Sequence, residues 1–288
     1  MARALNGLHW QSPLQWMPNR SQTQVNAGAG FGSVLILSHS GTPPTGEPVA
    51  RDNIYWLEYN MRCQPAAMAE RVIVRLYYPT GSLPSANDLA ALWGAQLRWC
   101  QGQGVQHFQV LNELDLEYQN PYPDATYMSN LATALRSQGM AGWPLSLGFP
   151  GPSLPTANDQ TRWNAYWDRF ASAVNNNYNW LALHPYATTL QGLKDSAWGQ
   201  ATRARTRFPN RPQRFCEYAI PLSGEPGGDH SRRATMYRDF INWLRSGWTD
   251  YVLAAHVYIA ADSPSWLDYQ LSDSEAESLT NCVGCVGQ

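Results

Sequence analysis

The sequence predicts an α/β fold, a single (β/α)8 TIM barrel filling residues 1–288 as one domain. Three observations predict it. Eight short apolar runs recur along the chain, helical patterns fill the gaps between them, and from the third run onward they repeat roughly every 35 residues, the length of one βα unit. The chain has 288 residues with 15% charged, enough for one large core of about 250 residues and too little for a second full domain.

In order, the predicted strands are 7–11, 33–38, 72–77, 106–112, 145–149, 180–184, 213–217 and 251–258. Runs such as Phe108 to Leu111 are apolar at nearly every position, which suits a parallel strand covered on both faces. The segment NAGAGFG at 26–32 precedes the run SVLILS. A dinucleotide-binding fingerprint follows a strand and opens a helix, so this one reads as a tight turn into the second strand.

Between the strands, Ser85 is an N-cap with Asp88 three residues on, and Leu89, Leu92, Trp93 and Leu97 mark one face of the helix that follows. A helix over 125–140 places Met128, Leu131, Leu135 and Met140 inward, with Gly139 and Gly142 as stop signals. A third over 232–247 places Met236, Phe240 and Trp243 or Leu244 inward. Trp93, Trp167 and Trp243 read as core residues. Proline and glycine clusters at 41–48, 150–155 and 221–228 follow strands and are expected to form long loops shaping a cleft.

Lys and Arg total 20 against 22 Asp and Glu, without a basic cluster, so the chain carries no footprint for nucleic acid or an acidic membrane surface. No apolar stretch approaches the roughly 18 to 20 residues of a membrane span. The N-terminus lacks a basic region followed by an apolar segment, so the expected location is the cytoplasm, or outside the cell if a signal was trimmed. The sequon at Asn19 matters only in the second case. Of five cysteines, Cys63, Cys100 and Cys216 read as buried thiols. Cys282 and Cys285 read as a local disulfide or two thiols, ahead of zinc or redox chemistry.

Glu113, in FQVLNELDLEY, and Glu217, in QRFCEYAIP, stand at the ends of the fourth and seventh runs. The carboxyl ends of barrel strands are where catalytic groups gather. One carboxylate to attack an anomeric carbon and one carboxylic acid to protonate the leaving oxygen, about 5 Å apart, are what retaining hydrolysis of a glycoside needs. Asn112 could bond the sugar 2-hydroxyl, an interaction that strengthens as positive charge develops on the ring. The competing reading for Glu113 is a carboxylate capping the next helix.

This pattern resembles clan A of the glycoside hydrolases, (β/α)8 enzymes whose acid/base glutamate follows an asparagine on strand four and whose nucleophile glutamate ends strand seven. His184-Pro185-Tyr186 after the sixth run is similar to the His-x-Tyr of family 5 cellulases and mannanases. The resemblance implies Glu217 as nucleophile, Glu113 as acid/base, Tyr186 as a donor to Glu217 and His184 as a partner of Glu113. Arg75 would reach the nucleophile, although it lies inside VIVRLYYP, where Tyr77 and Tyr78 take the place of the family's histidine. Trp266 or Tyr258 would lie under the sugar after the eighth strand. Tyr78, Tyr118, Tyr122 and Tyr218 supply further rings near the mouth.

The expected protein is therefore a retaining β-glycoside hydrolase acting on an oligosaccharide, polysaccharide or glycoside, without cofactor or metal. One alternative is a sugar-binding barrel without catalysis. Another, weaker, is a metal-dependent hydrolase using His39, His256 and Asp262, against which the first strand lacks a His-x-His pair.

Overall fold

The computed structural model describes residues 5–10, 33–37, 72–78, 81–102, 104–119, 122–224, 228–247 and 252–257, together with Ser272, Glu275 and Leu279; at 5–10 and 33–37 it describes the backbone alone. His39, Cys63, Tyr258, Asp262, Trp266, Cys282, Cys285, the sequon at Asn19, and the segments 26–32 and 41–48 lie outside these residues.

Eight strands follow one another: β1 (Leu5–Trp10), β2 (Ser33–Leu37), β3 (Val72–Leu76), β4 (His107–Val110), β5 (Ser146–Pro150), β6 (Trp180–Leu183), β7 (Gln213–Tyr218) and β8 (Val252–Val257). Their order is that of a closed barrel taken in sequence order. The pairings β1–β2, β1–β8, β3–β4, β4–β5, β5–β6 and β7–β8 are all parallel. The fold is a (β/α)8 TIM barrel, and its strand boundaries fall within two residues of those expected. Among the described residues no helix is long and apolar enough to cross a membrane.

The chain divides into two compact units, Leu37–Ala182 and Met1–Ile36 with Leu183–Gln288. In the first, β3 and β6 are buried at every position, as parallel strands covered on both faces must be. Helix α1 (Ala86–Gly102) begins at Ser85, whose hydroxyl accepts from Asp88 N–H and donates to the Asp88 carboxylate. Leu89, Trp93 and Leu97 are fully buried beneath it.

A one-turn helix α2 (Leu114–Glu117) follows β4, and α3 (Ala125–Gln138) follows from the Asp124 cap. The buried stripe of α3 is Met128, Leu131 and Leu135, while Met140, expected inward, is exposed because the helix ends before reaching it. After β5 come α4 (Leu154–Ala157) and α5 (Gln160–Asn177). Phe149 of β5 meets Tyr166, Trp167 and Phe170 of α5, and Tyr178, at ring-centroid distances of 4.9 to 6.5 Å. This knot pins helix to strand; truncating Phe149 to Ala would cost about 3–5 kcal/mol. Gly148 must lack a side chain: a Cβ there would sit 2.3 Å from the Trp180 ring that crosses it.

In the second unit, α6 (Leu190–Arg207) follows β6 and α7 (His230–Gly247) follows β7. The inward stripe of α7 is Arg233, Ala234, Tyr237, Phe240, Ile241 and Leu244. Phe240 and Leu244 are inward as expected, whereas Met236 and Trp243 are only half-buried; Trp243 stacks on Phe240. Tyr218, expected near the mouth, is fully buried against Tyr237 and Phe240, because its alternation along β7 turns it under α7. Cys100 and Cys216 are buried and outside any disulfide, and burial pushes the Cys100 thiol up to about 12.

Candidate active site

The carboxyl end of β4 is shaped by its backbone. Strand pairing stops at Val110, and Leu111 adopts φ 63°, a left-handed conformation that costs a buried leucine about 1–3 kcal/mol. Two bonds hold it there: Leu111 N–H donates to Leu76 C=O at 3.0 Å, and the buried Gln109 amide donates to Leu111 C=O at 3.1 Å. The kink turns the chain out of the strand, so Asn112 and Glu113 leave in a direction that continued pleating would not give.

Glu113 then occupies the N-cap position of α2, and its backbone carbonyl accepts from Leu116 and Glu117 N–H. Its side chain makes no cap bond, so the competing reading of a helix-capping carboxylate does not hold. The group is half-buried, and its charge is among the influences, after burial, Asp115 and Tyr122, that keep the Tyr166 phenol well above its ordinary pKa. Tyr166 donates to Pro150 C=O at 2.7 Å. Asp115 accepts from both Ser153 N–H and Ser153 Oγ, tying α2 to the loop after β5.

Asn112 is 9% exposed, and its Nδ2 donates to Glu117 at 2.6 Å. Around Glu117 lie Tyr77 and Tyr118. Burial first, then the Glu117 charge, raises both phenols, while Arg75 opposes the rise. Arg75 is buried in β3, in register with Gln109. Tyr118 is buried and donates to Tyr78 C=O, and Trp93 Nε1 donates to Tyr77 C=O. Tyr78 is half-buried. Arg169 lies 4.3 Å over the Tyr122 ring.

In the other unit, Glu217 sits within β7 and is 5% exposed. Between Phe215 and Tyr218 the β7–β8 register slips, with Phe215 opposite Ala255 and Tyr218 opposite Val257. One extra residue on β7 makes this a bulge, a device that re-aims a side chain. The Tyr186 hydroxyl donates to Glu217 Oε2. Tyr186 is placed by its bridge to Ala219 and by Ala187 N–H donating to Ala219 C=O. His184 is fully buried, and its carbonyl accepts from Gln200. His256 is buried on Phe215 C=O at 3.0 Å.

Of the residues selected from sequence, Tyr186 and Glu217 meet in one unit, and Asn112, Glu113, Arg75 and Tyr78 belong to the other with their own surroundings. Tyr258 and Trp266 fall outside the described residues. Sequence reasoning missed Gln109, Asp115, Glu117 and Tyr166. The only signal for two of them was the run of acids at 113, 115 and 117, too dense for a loop that merely connects.

Neither a protein-family model nor a curated protein sequence matches the chain. Solved structures do. A glucosidase from Croceicoccus marinus is 11% identical with a TM-score of 0.66 over 96% of this chain, which spans 64% of that one. A GH128 subgroup I endo-β-1,3-glucanase from Amycolatopsis mediterranei, in complex with laminaritriose, is 13% identical with a TM-score of 0.56 over 97% of this chain and 99% of its own. A GH128 subgroup VII oligosaccharide-binding protein from Trichoderma gamsii is 11% identical with a TM-score of 0.54 over 99% and 95%. At such identities the likeness is one of fold, the barrel shared by these carbohydrate-active proteins.

Proposed function

We propose that this protein is a retaining glycoside hydrolase that cleaves a β-glycosidic bond, with Glu217 as nucleophile and Glu113 as acid/base. The observation that carries the reading is the Glu217 carboxylate, buried at a β7 bulge with the Tyr186 hydroxyl donating to one oxygen. A carboxylate held this way is oriented by the bond at Oε2, and in this reading Oε1 is the attacking oxygen. In the first step that oxygen bonds to the anomeric carbon as the glycosidic C–O bond breaks, and Glu113 gives its proton to the departing oxygen. In the second, Glu113 takes a proton from water, whose oxygen displaces Glu217 and restores the starting configuration.

Asn112 would bond the 2-hydroxyl, and Tyr78, Tyr258 and Trp266 would contact the sugar. Arg75 and His184 would support the carboxylates from behind. The glucosidase and glucanase names among the similar structures make β-linked glucans and glucosides the substrates to try first. His184-Pro185-Tyr186 favours a family 5-like pattern within the clan.

The test is turnover of laminarin, carboxymethylcellulose and 4-nitrophenyl β-laminaribioside, with the anomer of the first product read by NMR. Hydrolysis with retention, lost in Glu217→Ala, is expected. A crystal structure placing the two carboxyl groups about 5 Å apart would agree, whereas roughly 6.5 to 9.5 Å would assign inversion. A second reading is favoured by the likeness to an oligosaccharide-binding protein of the same fold. Micromolar binding of laminari-oligosaccharides without release of reducing ends would establish that one instead.

A further inference from the structure

We infer that Glu117 is a positioning residue that fixes which end of the Asn112 amide faces the substrate, and that it thereby sets discrimination at the sugar 2-hydroxyl. This rests on the glycoside hydrolase reading. Four observations lead to it. Asn112 Nδ2 donates to Glu117 Oε1 at 2.6 Å, a short, charge-assisted bond of the stronger kind. Glu117 is set in turn by its own N–H, which donates to Glu113 C=O at 2.9 Å, so the acid/base residue and the anchor share one turn of backbone. Asn112 Oδ1 is buried without a hydrogen-bond partner in the protein, so the fold does not use up this amide's capacity. The left-handed Leu111, held by Gln109, spends strain on aiming this short segment.

The chemistry follows from what a carboxylate can do. An ionised carboxylate only accepts, whereas an amide offers a donor end and an acceptor end of nearly equal shape. Glu117 therefore selects the NH2 end of Asn112 and keeps the buried Oδ1 turned away, leaving the second N–H for a hydroxyl group. Without Glu117 the amide can rotate by 180° at little cost. Its bond to the 2-hydroxyl would then be made in only part of the population.

The experiment compares 4-nitrophenyl β-laminaribioside with its counterpart lacking the 2-hydroxyl on the aryl-linked glucose. Wild-type kcat/KM is expected to favour the hydroxylated substrate by about 100-fold or more, and Glu117→Ala to shrink that preference about tenfold. On the 2-deoxy substrate Glu117→Ala and wild type should agree within about twofold, since the contact that Glu117 supports is then absent. Glu117→Gln, whose amide can either accept from or donate to Asn112, no longer fixes the orientation and should lose most of the preference as well. In an Asn112→Ala background, Glu117→Ala should change nothing further, as expected if it acts through the amide.

If Glu117→Ala does not fold, Glu117→Asp, which withdraws the acceptor by one methylene and keeps the charge, is read in the same way. Equal losses on both substrates, or an additive loss in the Asn112→Ala background, would overturn the inference while leaving the hydrolase reading intact. No turnover of either substrate by wild type would instead remove the reading on which it rests.

Discussion

Glu113 and Glu217 both leave a parallel strand through a break in its regularity, but the two breaks differ in kind and produce different seats. At β7 the strand continues through a bulge, so Glu217 stays within the ladder, 5% exposed, with Tyr186 bonded to one oxygen. At β4 the ladder stops, a left-handed leucine turns the chain, and Glu113 emerges half-buried on a one-turn helix that its side chain does not cap. A carboxylate fixed in a strand and bonded to a phenol has its direction set by the strand. One at the start of a single helical turn, half-buried and without a cap bond, is held differently. The difference teaches that the backbone, by a bulge or by a left-handed kink, decides how a carboxylate near a strand end is held.

The comparison breaks most decisively at Glu217. On the proposal that Glu217 is the nucleophile, Glu217→Ala should lower kcat/KM by about 10^4-fold or more for every leaving group. Added azide should restore turnover and give a glycosyl azide of inverted configuration. Loss of the same size with no azide product would take the nucleophile role from Glu217.

Glu113→Ala is expected to behave differently. General acid help is worth about 10^2 to 10^4-fold, but only where the leaving oxygen needs a proton, so laminarin should suffer the full loss and a 2,4-dinitrophenyl glycoside far less in its first step. A loss independent of the leaving group would take the acid/base role from Glu113. Smaller again is Tyr186→Phe, which deletes the hydroxyl donating to Glu217 and keeps the ring. About 10 to 100-fold in kcat/KM is expected. Because that bond orients the carboxylate, the fall should be mainly in kcat, with KM little changed. An unchanged kcat would make the Tyr186 bond a packing feature alone.

Much of the fold was legible because parallel strands buried on both faces announce themselves as apolar runs, and the β3 and β6 runs were readable for that reason. Helix faces were legible where the helix is long and unambiguous, as for Trp93 and Trp167, and misjudged at ends, as for Met140. On α7 the chosen Phe240 and Leu244 are buried and Met236 only half-buried, with Tyr237 and Ile241 filling the rest of the face. Within the candidate site, the two glutamates could be picked out as carboxylates at strand ends, but their seats could not be read. Leu111 gave no warning, since left-handed backbone is ordinarily the place of glycine or asparagine. The Asn112 to Glu117 bond spans a kink and a single helical turn, a path no periodicity describes.

A third glutamate supplies the control for the comparison, because it is buried and paired for structure rather than chemistry. Glu275 is fully buried and accepts from Arg233 Nε at 2.6 Å and Nη2 at 2.9 Å, from His230 Nδ1 at 2.7 Å and from Ser272 N–H at 2.8 Å. Its own N–H returns to Ser272 Oγ, the reciprocal bonding of a capping box. Burial raises its pKa, but the Arg233 bonds and charge outweigh this and hold it below the ordinary carboxylate value. A carboxylate whose folded pKa is depressed contributes stability above its unfolded pKa and loses it as pH falls through the folded one. Glu275→Gln should therefore cost about 3 kcal/mol at neutral pH, leaving Arg233 buried without its counter-charge. The gap from wild type should close as the pH is lowered below the ordinary carboxylate range, as read from urea midpoints across pH. Its kcat/KM should stay within about twofold of wild type under conditions where both are folded. A larger fall in activity, with stability unchanged, would mean that this carboxylate too serves the chemistry, and the line drawn here between a glutamate seated for reaction and one seated for folding would have to move.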